Sequence, residues 1–171
     1  MIQLRRHQTT WRLIVGLLSV VLTASANALE PHQPAPEISA KSASGTAVTI
    51  AAHRGQIIYL DFWASWCGPC RQSFPWMNAM QAKYGVKGLQ VLAVNLDTKE
   101  ADARQFLLEH PAQFGVAFDS TGGTPRSYGI KGMPTSYLID RQGRILMEHS
   151  GFTSSNKDAL ERAIREALEE K

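Results

Sequence analysis

The apolar positions of the chain fall into short runs separated by turn-forming residues, and the period of the runs changes along the sequence. Ile57-Ile58-Tyr59-Leu60-Asp61-Phe62 is continuous rather than alternating, which predicts a strand buried on both faces; Asp61 is its one charged position. Leu89 to Leu96 predicts a second buried strand by the same reasoning. Between them Phe74, Met77, Met80 and Tyr84 recur at spacings of three and four, so a helix is predicted from Arg71 to about Tyr84, kinked by Pro75. Strand, helix and strand in that order imply a parallel pair joined by a right-handed crossover.

The flanking segments extend this α/β pattern. Asp97-Thr98-Lys99-Glu100 reads as a cap for a helix carrying Ala103, Phe106, Leu107 and Leu108, which Pro111 closes. A short strand over residues 116–118 and a helical turn from Thr124 to Tyr128 follow. Thr135–Asp140 and Arg144–His149 enclose Arg141-Gln142-Gly143 and predict an antiparallel hairpin. Ser155 to Asp158 then caps a last helix with Leu160, Ala163, Ile164, Ala167 and Leu168 on one face. Upstream, Glu30 to Pro36 is proline-rich and extended, and two strands near residues 37–40 and 48–50 are turned by Ser42-Ala43-Ser44-Gly45.

The first 28 residues belong to a different pattern. Arg5, Arg6 and Arg12 precede Leu13 to Ala24, which is almost wholly apolar, and Ala24-Ser25-Ala26-Asn27-Ala28 ends it in small residues. The apolar run is shorter than the roughly 18 to 20 residues that span a bilayer, so residues 1–28 are expected to be a secretory signal, cleaved after Ala28 or Ala26. An uncleaved N-terminal anchor is the alternative. Residues 29–171 are expected to form one domain, with the periplasm as its compartment. Without Arg5, Arg6 and Arg12 the 18 basic residues of the chain become 15, against 15 acidic ones, so the basic balance belongs to the signal. A near-neutral domain gives no reason to expect nucleic acid as a partner.

Candidate chemistry rests on Cys67 and Cys70, the two cysteines of the chain, separated by Gly68 and Pro69 and placed between a buried strand and a helix. A thiolate is the reactive form, and at a helix N-terminus it meets unpaired N–H groups and the positive end of the helix dipole, which lower its pKa. Cys67 is therefore the expected nucleophile. Cys70, one turn further in, is placed to attack the mixed disulfide and release the partner. Pro69 lacks an N–H and has a fixed φ, both harmless in a first turn, and stiffens the loop. A structural zinc site needs about four ligands, but there is no second cysteine pair and His32, His53, His110 and His149 show no ligand spacing, so no metal and no cofactor are expected. A stapling role fits poorly, because so small a loop constrains little of the unfolded chain.

The segment Asp61-Phe62-Trp63-Ala64-Ser65-Trp66-Cys67-Gly68-Pro69-Cys70 resembles the active-site segment of thioredoxins. With the export signal, the lead-in Ala35-Pro36-Glu37 and Asp140-Arg141-Gln142-Gly143, residues 35–168 resemble the TlpA-like branch, which includes the ResA and DsbE type proteins of cytochrome c maturation. The resemblance implies a thioredoxin-like α/β fold: a central mixed sheet flanked by helices, with an N-terminal strand pair and a helical insertion. It implies that Asp61 moves the proton of the inner thiol; burial in an apolar strand would raise its pKa and make it a usable base. It also implies a cis proline at Pro134, in Met133-Pro134-Thr135, facing the cysteines, with the Met133 backbone pairing to an extended client. Trp66 is expected on the exposed docking surface with Gly68 and Pro69, and Trp63 in the core. Ser73 stands where the branch commonly carries Glu, and Ala93 near the position of a buried Lys in thioredoxins.

The function implied is a monomeric reductant of disulfides in cysteine-containing clients, apocytochrome c among them, recharged by a membrane thiol carrier of the DsbD or CcdA type. The Cys-Gly-Pro-Cys pair resembles that of thioredoxin, at about −270 mV, rather than the oxidant DsbA at about −120 mV. The alternatives are a disulfide oxidase or isomerase using the same residues, and a reductant in copper-site assembly. A peroxidase would need a Pro-x-x-x-Thr-x-x-Cys pattern, which is absent before Cys67.

Overall fold

The computed structural model describes residue 29 and residues 31–170; the predicted signal, residues 1–28, lies outside the described residues. Seven strands form one mixed sheet: β1 (Ala40–Ser42), β2 (Ala47–Val48), β3 (Ile57–Trp63), β4 (Leu89–Asn95), β5 (Gly115–Phe118), β6 (Thr135–Ile139) and β7 (Ile145–Ser150). Four helices accompany them: α1 (Gly68–Tyr84), α2 (Glu100–Glu109), α3 (Gly123–Ser127) and α4 (Lys157–Glu169). The strand order is β2-β1-β5-β4-β3-β6-β7. β3 runs parallel to β4 and antiparallel to β6, so the central strand feeds α1 while its neighbours arrive from both directions. No described helix is long and apolar enough to cross a membrane.

All seven residues of β3 are buried, which explains why its sequence is continuous rather than alternating. Ile57, Tyr59 and Trp63 point into a core shared with α1, α2 and α4, while Ile58, Leu60 and Phe62 point into a second core with Ile38, Ile50 and Tyr128. By the same alternation Asp61 faces the α1 side. The six apolar side chains of the strand are worth about 1.5 to 3 kcal/mol each when fully buried, enough to hold one desolvated carboxyl in the layer.

The β6–β7 hairpin closes as its sequence predicts. Asp140 Oδ1 accepts from the N–H groups of Gln142 and Arg144, and Gly143 takes the left-handed conformation (φ 74°) the turn requires. Other boundaries move. The first strand lies at Ala40–Ser42 rather than 37–40, because the Ser39 N–H donates to Thr124 Oγ1 rather than to a strand; the Ile50 N–H likewise donates to a side chain, the Glu37 carboxylate. Ile50 accordingly leads into a single 3-10 turn, Ala51–His53, instead of ending a strand. α1 begins at Gly68 rather than Arg71 and continues through Pro75, which deprives the Arg71 carbonyl of its helical donor without ending the helix. Leu108 is exposed, so α2 buries Ala103 and Phe106 but not that position.

Candidate functional site

Asp97 does not cap α2: Lys99 occupies the cap position, and no side chain bonds there. Asp97 turns inward instead. Its Oδ2 accepts from the Ser65 N–H at 2.9 Å and from Asn95 Nδ2 at 2.8 Å, and its Oδ1 accepts from Ser65 Oγ at 3.1 Å. Asn95 closes the loop by accepting the Asp97 N–H at 3.0 Å. The end of β4 thereby grips the segment Ala64-Ser65-Trp66 that leads from β3 to the cysteines. The sequence signal for this grip is the Asn95/Asp97 pair, two short polar side chains at the carboxyl end of a buried strand, where open α/β sheets place their sites.

Cys67 is the N-cap of α1. Its backbone is extended, its N–H donates to the Ala64 carbonyl at 3.1 Å, and its Sγ accepts from the Cys70 N–H at 3.2 Å. Gly68 and Pro69 fill the first two helical positions and are exposed; the first turn contains no acidic residue. The sulfur therefore meets the positive end of a helix with no neighbouring carboxylate in that turn to offset it. Cys67 and Cys70 are joined as a disulfide with Cα atoms 5.3 Å apart. Cys67 retains 5% exposure and Cys70 none, so the pair is asymmetric toward solvent. Ser73 is buried behind Cys70, its hydroxyl donating to the Cys70 carbonyl at 2.9 Å.

Asp61 lies on the same side of β3 as Trp63 and the cysteine-bearing helix. Its Oδ2 is buried without a hydrogen-bond partner among the described residues, and burial pushes its pKa well above the ordinary carboxyl range. Trp63 and Trp76 are buried in the core on that side, Trp76 with its ring 5.3 Å from that of Tyr59, whereas Trp66 projects into solvent beside Cys67.

The opposite wall comes from the start of β6. Thr135 is paired with Phe62, so the residues just before it stand at the sheet end from which the chain leaves β3 toward Cys67. The Met133–Pro134 bond is cis; Pro134 is buried, and its carbonyl accepts from the Gly151 N–H at 2.7 Å. Thr135 Oγ1 donates to the Gly132 carbonyl at 2.8 Å, and half-buried Met133 packs against the cluster that holds both cysteines. The fold thus gathers Cys67, Cys70, Asp61, Met133, Pro134 and Thr135 at one end of the sheet, with Trp66, Gly68 and Pro69 on the rim.

The chain is similar to known thiol-disulfide oxidoreductases. The model of the AhpC/TSA family matches residues 31–147. The thiol-disulfide oxidoreductase ResA of Bacillus thuringiensis subsp. konkukian is 30% identical over 137 residues, covering 80% of this chain and 78% of its own. The thioredoxin-like protein YneN of Bacillus subtilis is 34% identical over 126 residues, covering 72% and 73%. The crystal structure of a DsbE-like thiol:disulfide interchange protein from Chlorobium tepidum is 57% identical, with a TM-score of 0.80 over 82% of this chain and 99% of that one.

Proposed function

The chain belongs to the AhpC/TSA family, and from that premise we propose that it is an exported, periplasmic reductant of client disulfides. Its class is that of the thiol-disulfide oxidoreductases of the ResA/DsbE type, which act on cysteine-containing proteins. One observation carries the finer reading: the exposed end of α1 is capped by Cys67, while Cys70 is sealed beneath it on the side that Asp61 faces.

The Cys67 thiolate attacks a client disulfide, forms a mixed disulfide, and releases one client sulfur as a thiolate. Cys70 then loses its proton to the Asp61 carboxylate and attacks Cys67 Sγ, releasing the second client sulfur. Two electrons pass to the client, and the Cys67–Cys70 disulfide remains. The pKa of Asp61, raised by burial, supports the proton step, because it makes the carboxylate a stronger base than an exposed one. Trp66, Gly68, Pro69 and the Met133-Pro134-Thr135 loop form the surface on which an extended client segment lies. A membrane thiol carrier of the DsbD or CcdA type returns the electrons, the protein works as a monomer, and apocytochrome c is among its clients.

The test is capture. Cys70→Ala should accumulate mixed disulfides on Cys67, identifiable by mass spectrometry, and Cys67→Ala should accumulate none. Equal capture by both variants, or a measured potential near that of DsbA, would overturn the assignment of nucleophile or of direction.

A further inference from the structure

Asp61 has two neighbours across the sheet: Ala93 on β4, which offers no polar side-chain atom, and Ser136 on β6. Directly opposed residues of an antiparallel pair face the same side with Cβ atoms about 4.5 to 5.5 Å apart, within reach of a hydroxyl-to-carboxylate bond. Ser136 is buried, and its Oγ accepts from the Tyr59 hydroxyl at 2.9 Å. Accepting that bond leaves Ser136 its own hydrogen to give, and Asp61 Oδ2 is the buried acceptor that lacks a donor in this disulfide-bonded form. Tyr59 stays a donor throughout, since burial first and the Asp61 charge second push its pKa upward. Other titratable groups on this side are Tyr84 and, in the reduced protein, Cys67 and Cys70 on α1, and His149 on β7. His149 stands opposite Ser136 and has its Nε2 2.9 Å from Asn156 Nδ2. On the α4 side the nearby cation, Lys157, lies over the Phe152 ring.

We propose that Ser136 is a positioning residue for Asp61: its hydroxyl, itself held by Tyr59, donates to the ionised carboxylate and sets the pH at which Asp61 accepts the Cys70 proton. The inference rests on the base role given to Asp61 above. The donor stabilises the charged form, so it holds the Asp61 pKa below what burial alone would give. In an antiparallel pair the serine costs little to keep there, whereas an apolar residue would leave the carboxylate with no donor on either side.

The experiment follows the Asp61 side-chain carboxyl by ¹³C NMR through a pH titration of the reduced protein, beside the pH dependence of disulfide reduction. The resonance is assigned by its loss in Asp61→Asn. Ser136→Ala should raise the carboxyl midpoint by about one pH unit. Tyr59→Phe should raise it by less, and Ser136→Thr should leave it in place. A Ser136→Ala midpoint that is unmoved or lowered overturns the proposal. If that variant does not fold, the sign of the Tyr59→Phe shift decides. A carboxyl midpoint that moves while the rate profile does not would reject Asp61 as the base and leave the coupling standing.

Discussion

Two aspartates flank the segment that carries Cys67, equally hidden and oppositely treated. Asp97 is 4% exposed and accepts three side-chain or backbone donors from Ser65 and Asn95. Asp61 is 2% exposed, and in this disulfide-bonded form its buried Oδ2 accepts none from the described residues. Burying a carboxylate is costly unless donors replace the lost water. With its donors, Asp97 is a clamp that fixes where the loop runs; without them, Asp61 is a group whose proton is easily kept. The difference shows that depth in the fold does not assign a role, and that the local supply of donors does.

The sharpest way to break this contrast is Asp61→Asn, which keeps the shape and removes the charge. Disulfide reduction should fall about 100-fold near neutral pH if Asp61 is the base. Stability should change in the other direction. Burial raises the native-state pKa of Asp61 above its ordinary value of 3.8, so above that value the native protein holds a proton that the unfolded chain releases. Stability therefore declines as pH rises from about 4 toward the native-state pKa. Asn cannot ionise, and its variant should lack that decline. Denaturant unfolding at a series of pH values measures it; parallel curves for the two proteins would mean that Asp61 is not held neutral by the fold.

The complementary change, Asp97→Ala, should act on the fold first. It strands the Ser65 N–H and the Asn95 amide, and should cost about 2 to 3 kcal/mol in guanidinium unfolding. A loss under about 0.5 kcal/mol would show that the clamp contributes nothing.

This contrast also marks how far the sequence could be read. The buried strands, the β6–β7 hairpin and the cysteine pair at a strand–helix junction were legible because each signal is local: an apolar run, a turn with its glycine, a spacing of three. Position-specific pairing was not. Asp97 looks like a helix cap from its neighbours, but Ser65, 32 positions earlier, turns it inward together with Asn95. The first strand begins late because Thr124, 85 positions away, takes the Ser39 N–H. Apolar periodicity alone starts α1 too late, at Arg71, because Gly68 and Pro69 contribute nothing to it; the boundary at Gly68 agrees instead with the first-turn position that the chemistry of Cys67 and Pro69 predicts. The opposition of Asp61 and Ser136 depends on strand register, which no single strand's pattern reveals.

The finest test separates the two bonds that Ser65 makes to Asp97. Ser65→Ala removes the hydroxyl donor and keeps the backbone N–H, which still points at Asp97 Oδ2. The loss should be about 0.5 to 1.5 kcal/mol, and the rate of disulfide exchange should stay within about twofold, because the backbone bond alone keeps the path toward Cys67. In the Asp97→Ala background the same substitution should cost almost nothing, since the bond it deletes is already gone. Costs that simply add would place the Ser65 hydroxyl's contribution elsewhere, and would leave the backbone bond as the whole of the clamp on that segment.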